Sequence, residues 1–233
     1  MLMVMPVIGS RIVNARVRVV LAMMISLLVV PLLPPMPTAQ LLSFTALGFI
    51  VQEALVGVII GFTFQVVFQM FVLSGQYMAM KMGLGFASMN DPTNGVQTTV
   101  LSQFFLMLVT LMFVAVNGHL ILVALVVESF QSLPPGRFML DPEVFIKVAS
   151  LGSWLFAAAL VLALPVLTSL LFVNMAFGVM SRAAPQLNIF AIGFPFTLMC
   201  GLLLIWLGLE NFDEIFNETI AFGFSAVSDF LNL

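Results

Sequence analysis

The sequence contains very little charge. Only 7% of its 233 residues are charged, and 62% are hydrophobic, whereas a soluble domain carries about 25% charged residues. Such a chain cannot cover a water-facing surface, so much of its surface must face lipid or other protein. A membrane-spanning helix needs roughly 20 apolar residues. The sequence therefore predicts a single-domain polytopic membrane protein. The stretches without Asp, Glu, Lys or Arg are 19–52, 54–80, 92–127, 148–181 and 183–209.

Several site chemistries are also missing. The single cysteine, Cys200, excludes intramolecular disulfides and cysteine-based metal sites. The single histidine, His119, has no partners at metal-ligand spacing, so no metal is expected, and a proton relay is the lesser alternative. The net charge of −3 and the absence of a basic cluster exclude nucleic-acid binding. No nucleophile–base pair, HExxH or phosphate-binding loop occurs, so we expect neither an enzyme nor a cofactor.

Proline and glycine clusters divide the chain into helices. The helix over 41–80 would be roughly 60 Å long, about twice a hydrocarbon core, so we expect it to break near Ser74–Gly75 or to project from the bilayer. A break at Asn117–Gly118 and a kink at Pro165 are also predicted. The fold class is all-α: a polytopic membrane-type helical protein of long kinked helices and helical hairpins. The predicted helices cover 17–33, 41–80, 97–130, 144–181 and 190–209, followed by an amphipathic segment over 211–232.

Polar and small residues recur every four positions in the second predicted helix. At this spacing they form a stripe along one side, and a GxxxG pair allows close approach of another backbone. Helix packing is one interpretation. A polar path through the membrane is the other, because an ionisable intramembrane residue is a functional candidate. The stripe consists of Glu53, Gly57, Gly61, Gln65 and Gln69.

A glycine-rich loop follows over 83–95, and several methionines lie nearby in sequence. Glycine permits positive φ and close approach, and Asn-Asp-Pro favours a turn. Such a loop cannot face lipid, so it must be buried in protein or line a cavity. The methionines either fill irregular gaps in the core or form a deformable apolar seal. The candidate gating residues are Gly83, Gly85, Phe86, Met89, Asn90, Asp91, Pro92 and Gly95.

Two further polar interruptions stand out. The first is the helix break at Asn117, Gly118 and His119. The second is "RAAPQLNIFAIGFP" over 182–195, which we interpret as a reversal between two apolar helices, with prolines that end or kink them. Its polar residues can pair backbone groups freed at the bend; shaping the turn is the simpler alternative. The residues of this hairpin tip are Arg182, Pro185, Gln186, Asn188, Phe190, Gly193 and Pro195.

The positive-inside rule gives a weak orientation. If Arg11, Arg16 and Arg18 are cytoplasmic and the predicted helices alternate across the membrane, Lys81 and Arg182 are also cytoplasmic.

These segments together resemble the FliR/SpaR/YscT family of type III export-gate subunits over nearly the whole chain. The most specific matches are "APQLNIF" (184–190) with "IGFP" (192–195), and "NGHL" (117–120) at the family's distance from "SLPPG" (132–136). The "SLPPG" form favours the flagellar branch, with the injectisome branch as the alternative. Family members usually begin with one more hydrophobic helix than the numbering here contains, so we expect an upstream helix to be missing.

The resemblance implies a non-enzymatic subunit of the bacterial inner membrane and the flagellar basal body. It implies a single export-gate domain over 1–233 that looks like a fusion of the other gate subunits, FliP-like over 1–147 and FliQ-like over 148–233. The implied partners are FliP and FliQ homologues in a hetero-oligomeric ring, FlhB and FlhA homologues, lipid and transient unfolded export substrates. The loop would then act as a plug, and the hairpin tip would lie at the entry side. A secondary transporter and a membrane-embedded enzyme are the remaining alternatives.

Overall fold

The computed structural model describes residues 5, 9, 14–33, 43–84, 99–134, 142–184 and 189–231. Within these residues the protein is all-α, which confirms the predicted fold class. Two short 3-10 turns, Val30–Leu32 and Leu209–Asn211, follow the first and sixth helices. The α-helices are α1 Ala15–Val29, α2 Phe44–Lys81, α3 Val100–Ala115, α4 Gly118–Ser132, α5 Pro142–Ala183, α6 Ile189–Gly208 and α7 Phe212–Leu231.

Helix α2 runs for 38 residues without a break at Ser74–Gly75. This contradicts the first of the two alternatives predicted for it and leaves the second, projection from the bilayer. Ser74 Oγ donates to the Phe71 carbonyl at 2.8 Å, so its hydroxyl is satisfied inside the helix. Gly75 lies against α3, and a Cβ there would be 2.9 Å from Ser102 Cα. The glycine therefore permits a close helix–helix approach and does not end the helix. At 1.5 Å per residue α2 is about 57 Å long.

The end of α2 is set by Gly83, which has a φ of +85°. Its N–H donates to the Met80 carbonyl at 3.1 Å, and the Leu84 N–H donates to the Ala79 carbonyl at 2.9 Å. This pair of hydrogen bonds is a Schellman motif, in which a left-handed residue satisfies the last carbonyls of a helix. Glycine adopts that conformation without steric cost.

The predicted helix over 97–130 is in fact two helices, α3 and α4, which meet at an angle of 67°. Asn117 has a φ of 57° and its carbonyl accepts from the Leu120 N–H at 2.9 Å. The interruption therefore falls where the Asn-Gly pair predicts it. Pro165 and Pro195 both lie inside helices, α5 and α6. Because α6 begins at Ile189, Pro195 does not end a helix, and the reversal is shorter than 182–195.

Within the described part of the chain, three continuous helical segments are long and apolar enough to cross a membrane, or four if the bent α3–α4 pair counts as one span. The continuous segments are Ala46–Lys81, Pro142–Ala183 and Ile192–Leu231. Helix α1 has only 15 residues, so it is shorter than the span expected over 17–33.

The chain divides into two compact units: the first comprises Met1–Phe68, Thr110–Ser153 and Thr219–Leu233, and the second comprises Gln69–Val109 and Trp154–Glu218. Aromatic rings form much of the core of the first unit. Phe64 packs edge-on against Phe224, with ring centroids 4.8 Å apart, and Phe68 packs edge-on against Phe113 at 5.3 Å. Gly223 of α7 lies against Phe64, because a Cβ there would be 3.4 Å from that ring.

In the second unit, Phe212 lies 5.6 Å from Phe71 and 5.7 Å from Phe105 between ring centroids. Ser102 Oγ donates to the Val72 carbonyl at 2.9 Å and joins α2 to α3. The predicted amphipathic segment after 211 is α7, whose Phe212, Phe216 and Phe230 are buried while its acidic residues are exposed.

Candidate functional site

The stripe on α2 passes from the interior to the surface. Glu53, Gly57 and Gln65 are half-buried, Gly61 is buried, and Gln69 is exposed. Among the described residues, Glu53 Oε1 is buried and has no hydrogen-bond partner. An unpaired polar atom in an apolar setting is costly, so the Glu53 carboxyl group is the functional candidate of this stripe.

Gln52, next to Glu53, was missed by the sequence reasoning. It is only 1% exposed, and within the described part of the chain neither Gln52 Oε1 nor Nε2 has a hydrogen-bond partner. It lies on the buried face of α2 with Val56, Ile59 and Ile60. The stripe consists of four-residue steps from Glu53, and a neighbour rotated by about 100° falls outside that pattern. The apolar residues that follow Gln52 recur at helical spacing, and this pattern could have assigned Gln52 to the same buried face.

The break between α3 and α4 combines one exposed and two enclosed residues. Asn117 is exposed, Gly118 is buried and His119 is half-buried. A Cβ on Gly118 would clash with the ring of Phe113, a fully buried side chain. The His119 Nδ1 atom is buried, with no hydrogen-bond partner among the described residues. The geometry therefore requires a glycine at the break.

A cleft of about 460 Å³ at the end of α2 brings together residues from two of the predicted groups. Gly83, from the glycine-rich loop, lies beside Phe194, since a Cβ there would be 3.0 Å from Phe194 Cε2. Gly193, from the predicted hairpin tip, lines the same cleft. Helix α5 contributes Asn174 and Ser181, and the last residue of α2, Lys81, provides a cation.

Several predicted residues lie outside the described residues. From the loop these are Gly85, Phe86, Met89, Asn90, Asp91, Pro92 and Gly95, and from the hairpin tip Pro185, Gln186 and Asn188. Arg182 is exposed in the last turn of α5, and Pro195 is exposed inside α6. Phe190 belongs to α6.

Gly75 is a packing site on α3 that the sequence does not predict. A Cβ on Gly75 would be 2.9 Å from both Ser102 Cα and Phe105 Cδ2. The sequence alone favours a helix break at this Ser-Gly pair, because the contact of Gly75 with a helix distant in sequence is not visible locally. Small residues that allow close backbone approach are typical of helix packing in membranes.

The described residues contain no group of three or more His, Cys, Asp or Glu that could hold a metal ion. Polar groups in the described helices serve mainly to pair the helix backbone; Thr63 Oγ1, for example, donates to the Ile59 carbonyl at 2.9 Å. Together with the long apolar helices, this defines a polytopic all-α membrane protein whose special positions are packing glycines, helix breaks and isolated polar groups.

Comparison with known proteins identifies the family to which this polytopic membrane protein belongs. The model of the family described as bacterial export proteins, family 1, matches residues 1–222. The flagellar biosynthetic protein FliR of Escherichia coli (strain K12) is 41% identical over 200 residues, which cover 86% of this chain and 76% of that protein. FliR of Pectobacterium carotovorum subsp. carotovorum is 34% identical over 226 residues, covering 97% and 86%. The chain belongs to the family of bacterial export proteins, family 1.

Proposed function

We propose that the chain is a subunit of the flagellar type III protein export gate in the bacterial inner membrane. The observation that carries the proposal is the 41% identity to FliR of Escherichia coli over 86% of the chain. Each of the relatives named here is called a flagellar biosynthetic protein, which favours the flagellar branch over the injectisome branch. The chain performs no chemistry in this role; it contributes helices to a passage for unfolded flagellar proteins.

The proposed partners are FliP and FliQ homologues in a hetero-oligomeric ring, with FlhB and FlhA homologues as neighbours. Large apolar side chains on α5 and α6 are widely exposed, including Phe172 at 70%, Val179 at 71% and Trp206 at 70%. Such faces need lipid or another protein against them. They support a position within the membrane in which lipid and partner subunits share these faces. In this assembly residues 1–147 would be FliP-like and 148–233 FliQ-like.

We further propose that the loop over 83–95 plugs the passage. This assignment depends on the sequence, because residues 85–95 lie outside the described residues. Support from the described part comes from Gly83, which ends α2 with a positive φ and directs the chain into the loop. On α2, Glu53 and the glutamines would line a polar path, or Gly57 and Gly61 would pack against a partner helix.

A secondary transporter is the second candidate, because such proteins bind substrate at discontinuous membrane helices. Two observations favour it: the 67° break between α3 and α4, and the buried Gln52 and Glu53 atoms that have no hydrogen-bond partner among the described residues. It predicts uptake or efflux of a small solute by the isolated chain, without other gate subunits.

The decisive experiment deletes this chain in its own organism and restores it from a plasmid with an affinity tag. The proposal predicts that flagellin disappears from the culture medium on deletion and returns on restoration, and that the tagged chain co-purifies with FliP and FliQ homologues in a mild detergent. Normal flagellin export in the deletion strain contradicts the proposal. A tagged monomer without partners, active in solute transport after reconstitution, supports the second candidate.

A further inference from the structure

The cleft at the end of α2 lies at one end of three apolar helices. Lys81 is the last residue of α2, Ser181 is near the end of α5, and Gly193 and Phe194 are near the beginning of α6. If these helices cross the membrane, the cleft lies near a membrane–water interface and not at the bilayer centre. Its volume of about 460 Å³ falls within the usual range of small-molecule sites, about 300–1,000 Å³.

The cleft belongs to the second compact unit, 69–109 with 154–218. The positive and negative charges of this unit lie in different parts of it. Its described cations are Lys81 and the exposed Arg182, which follows the cleft-lining Ser181. Its described carboxylates are confined to 210–218, after the end of α6. Helix α6 has 20 residues and therefore rises about 30 Å, close to the thickness of a hydrocarbon core. The two cations thus lie at the beginning of the uncharged helix α6, and none of the described carboxylates lines the cleft.

Two of the hydrogen-bonding side chains that line the cleft, Ser181 and Thr197, already use their hydroxyl protons within the protein. Ser181 Oγ donates to the Gly178 carbonyl at 2.7 Å, and Thr197 Oγ1 donates to the Phe194 carbonyl at 3.0 Å. Both hydroxyl protons are therefore engaged by the helix backbone. The donors left for a ligand among the described lining residues are the Lys81 ammonium group, at the end of α2, and the Asn174 amide, which lies nine residues before the end of α5.

The rest of the cleft is apolar and continues onto apolar surface. Phe177 and Phe194 form its walls, and beside it Met175 is 61% exposed, Val179 71% and Ile192 53%. A free phosphate ion would use none of this surface. An amphiphile with an anionic head uses all of it, because its head meets the cations while its chains cover the helices.

We propose that this cleft binds an anionic phospholipid. The Lys81 ammonium, the Arg182 guanidinium and the Asn174 amide hold the phosphate head, and the acyl chains lie along the exposed faces of α5 and α6. Basic pockets between membrane helices bind anionic head groups through the same physical attraction. The proposal depends on the membrane placement of these helices and does not require the export function.

The test uses the full chain in whatever complex it forms, extracted in a mild neutral detergent and placed in phosphatidylcholine nanodiscs with added phosphatidylglycerol. Native mass spectrometry measures the phosphatidylglycerol retained, and labelling with an amine-reactive reagent measures the protection of Lys81. We expect phosphatidylglycerol, but neither phosphatidylcholine nor inorganic phosphate, to be retained and to protect Lys81. Lys81→Gln and Arg182→Gln should each weaken binding about five-fold.

Two variants serve as controls. Lys147→Gln removes an exposed lysine near the beginning of α5 and should leave binding unchanged, and Lys81→Arg keeps the charge and should retain most of the binding. Unchanged affinity of a folded Lys81→Gln protein overturns the proposal, as does equal retention of phosphatidylcholine. Equal protection by inorganic phosphate shows a simple anion site and overturns the lipid assignment. Protection of Lys81 by a co-purified protein in lipid-free detergent also overturns it.

Discussion

Replacing Gly75 by alanine places a methyl group where α2 and α3 leave no room for one. The new Cβ would be 2.9 Å from Ser102 Cα, a backbone atom, and equally close to the Phe105 ring. A ring can rotate, but a backbone atom moves only with its helix. We therefore expect the two helices to separate locally and to lengthen the 2.9 Å hydrogen bond from Ser102 Oγ to the Val72 carbonyl.

The magnitude follows from three terms. Overpacking costs about 1–3 kcal/mol, the weakened hydrogen bond costs about 1 kcal/mol, and alanine gains about 1 kcal/mol over glycine inside a helix. The net loss is about 1–3 kcal/mol. For a chain of this size each kcal/mol shifts the melting temperature by about 2–4 °C, so the Gly75→Ala protein should melt roughly 2–12 °C lower.

The assay is thermal unfolding of the purified protein in one detergent, followed by circular dichroism at a fixed scan rate. Gly152→Ala is the matched control, because Gly152 is also inside a long helix, yet a Cβ there would meet no atom within 4 Å. Its stability should rise by up to about 1 kcal/mol from helix propensity alone. If Gly75→Ala melts at or above the wild-type temperature, the close approach of α2 and α3 at Gly75 is wrong.

Four further changes test other positions. Asn117 has a φ of 57°, so Asn117→Gly should be nearly neutral and Asn117→Val should lower stability by about 1–2 kcal/mol in the same melt; equal melting of the two variants argues against the left-handed backbone. Gln52→Leu removes two buried amide atoms without a partner among the described residues and should not lower the stability; a loss above about 1 kcal/mol would mean that the amide has a partner. Gly61→Leu should reduce the yield of the complex with FliP and FliQ homologues more than membrane insertion, and a normal yield would rule out close packing there. Deleting 87–93 should let a normally excluded solute enter cells whose gate still assembles, whereas an assembled, tight mutant would reduce the loop to a connector.

Much of the fold follows from local signals. The shortage of charge requires helices that face lipid or protein, and prolines and glycines mark most of their ends. Asn117–Gly118 was predicted correctly as a break, because asparagine and glycine both tolerate left-handed backbone. The same reasoning failed at Ser74–Gly75, where a similar polar-glycine pair lies inside a continuous helix. The two pairs differ in their tertiary contacts: a Cβ on Gly118 would meet Phe113, five positions earlier, whereas Gly75 packs against α3, whose Ser102 is 27 positions away.

The sequence by itself determined composition, periodicity and backbone freedom, because these properties depend on residues within a few positions of one another. It therefore specified a helical membrane protein, the positions of most helices and the membership of a family. Only the tertiary structure decided which small residues carry helix contacts and which polar groups are buried without a partner. The cleft shows the reason most clearly, since Lys81 and Ser181 are 100 positions apart and become neighbours only when α2, α5 and α6 pack together.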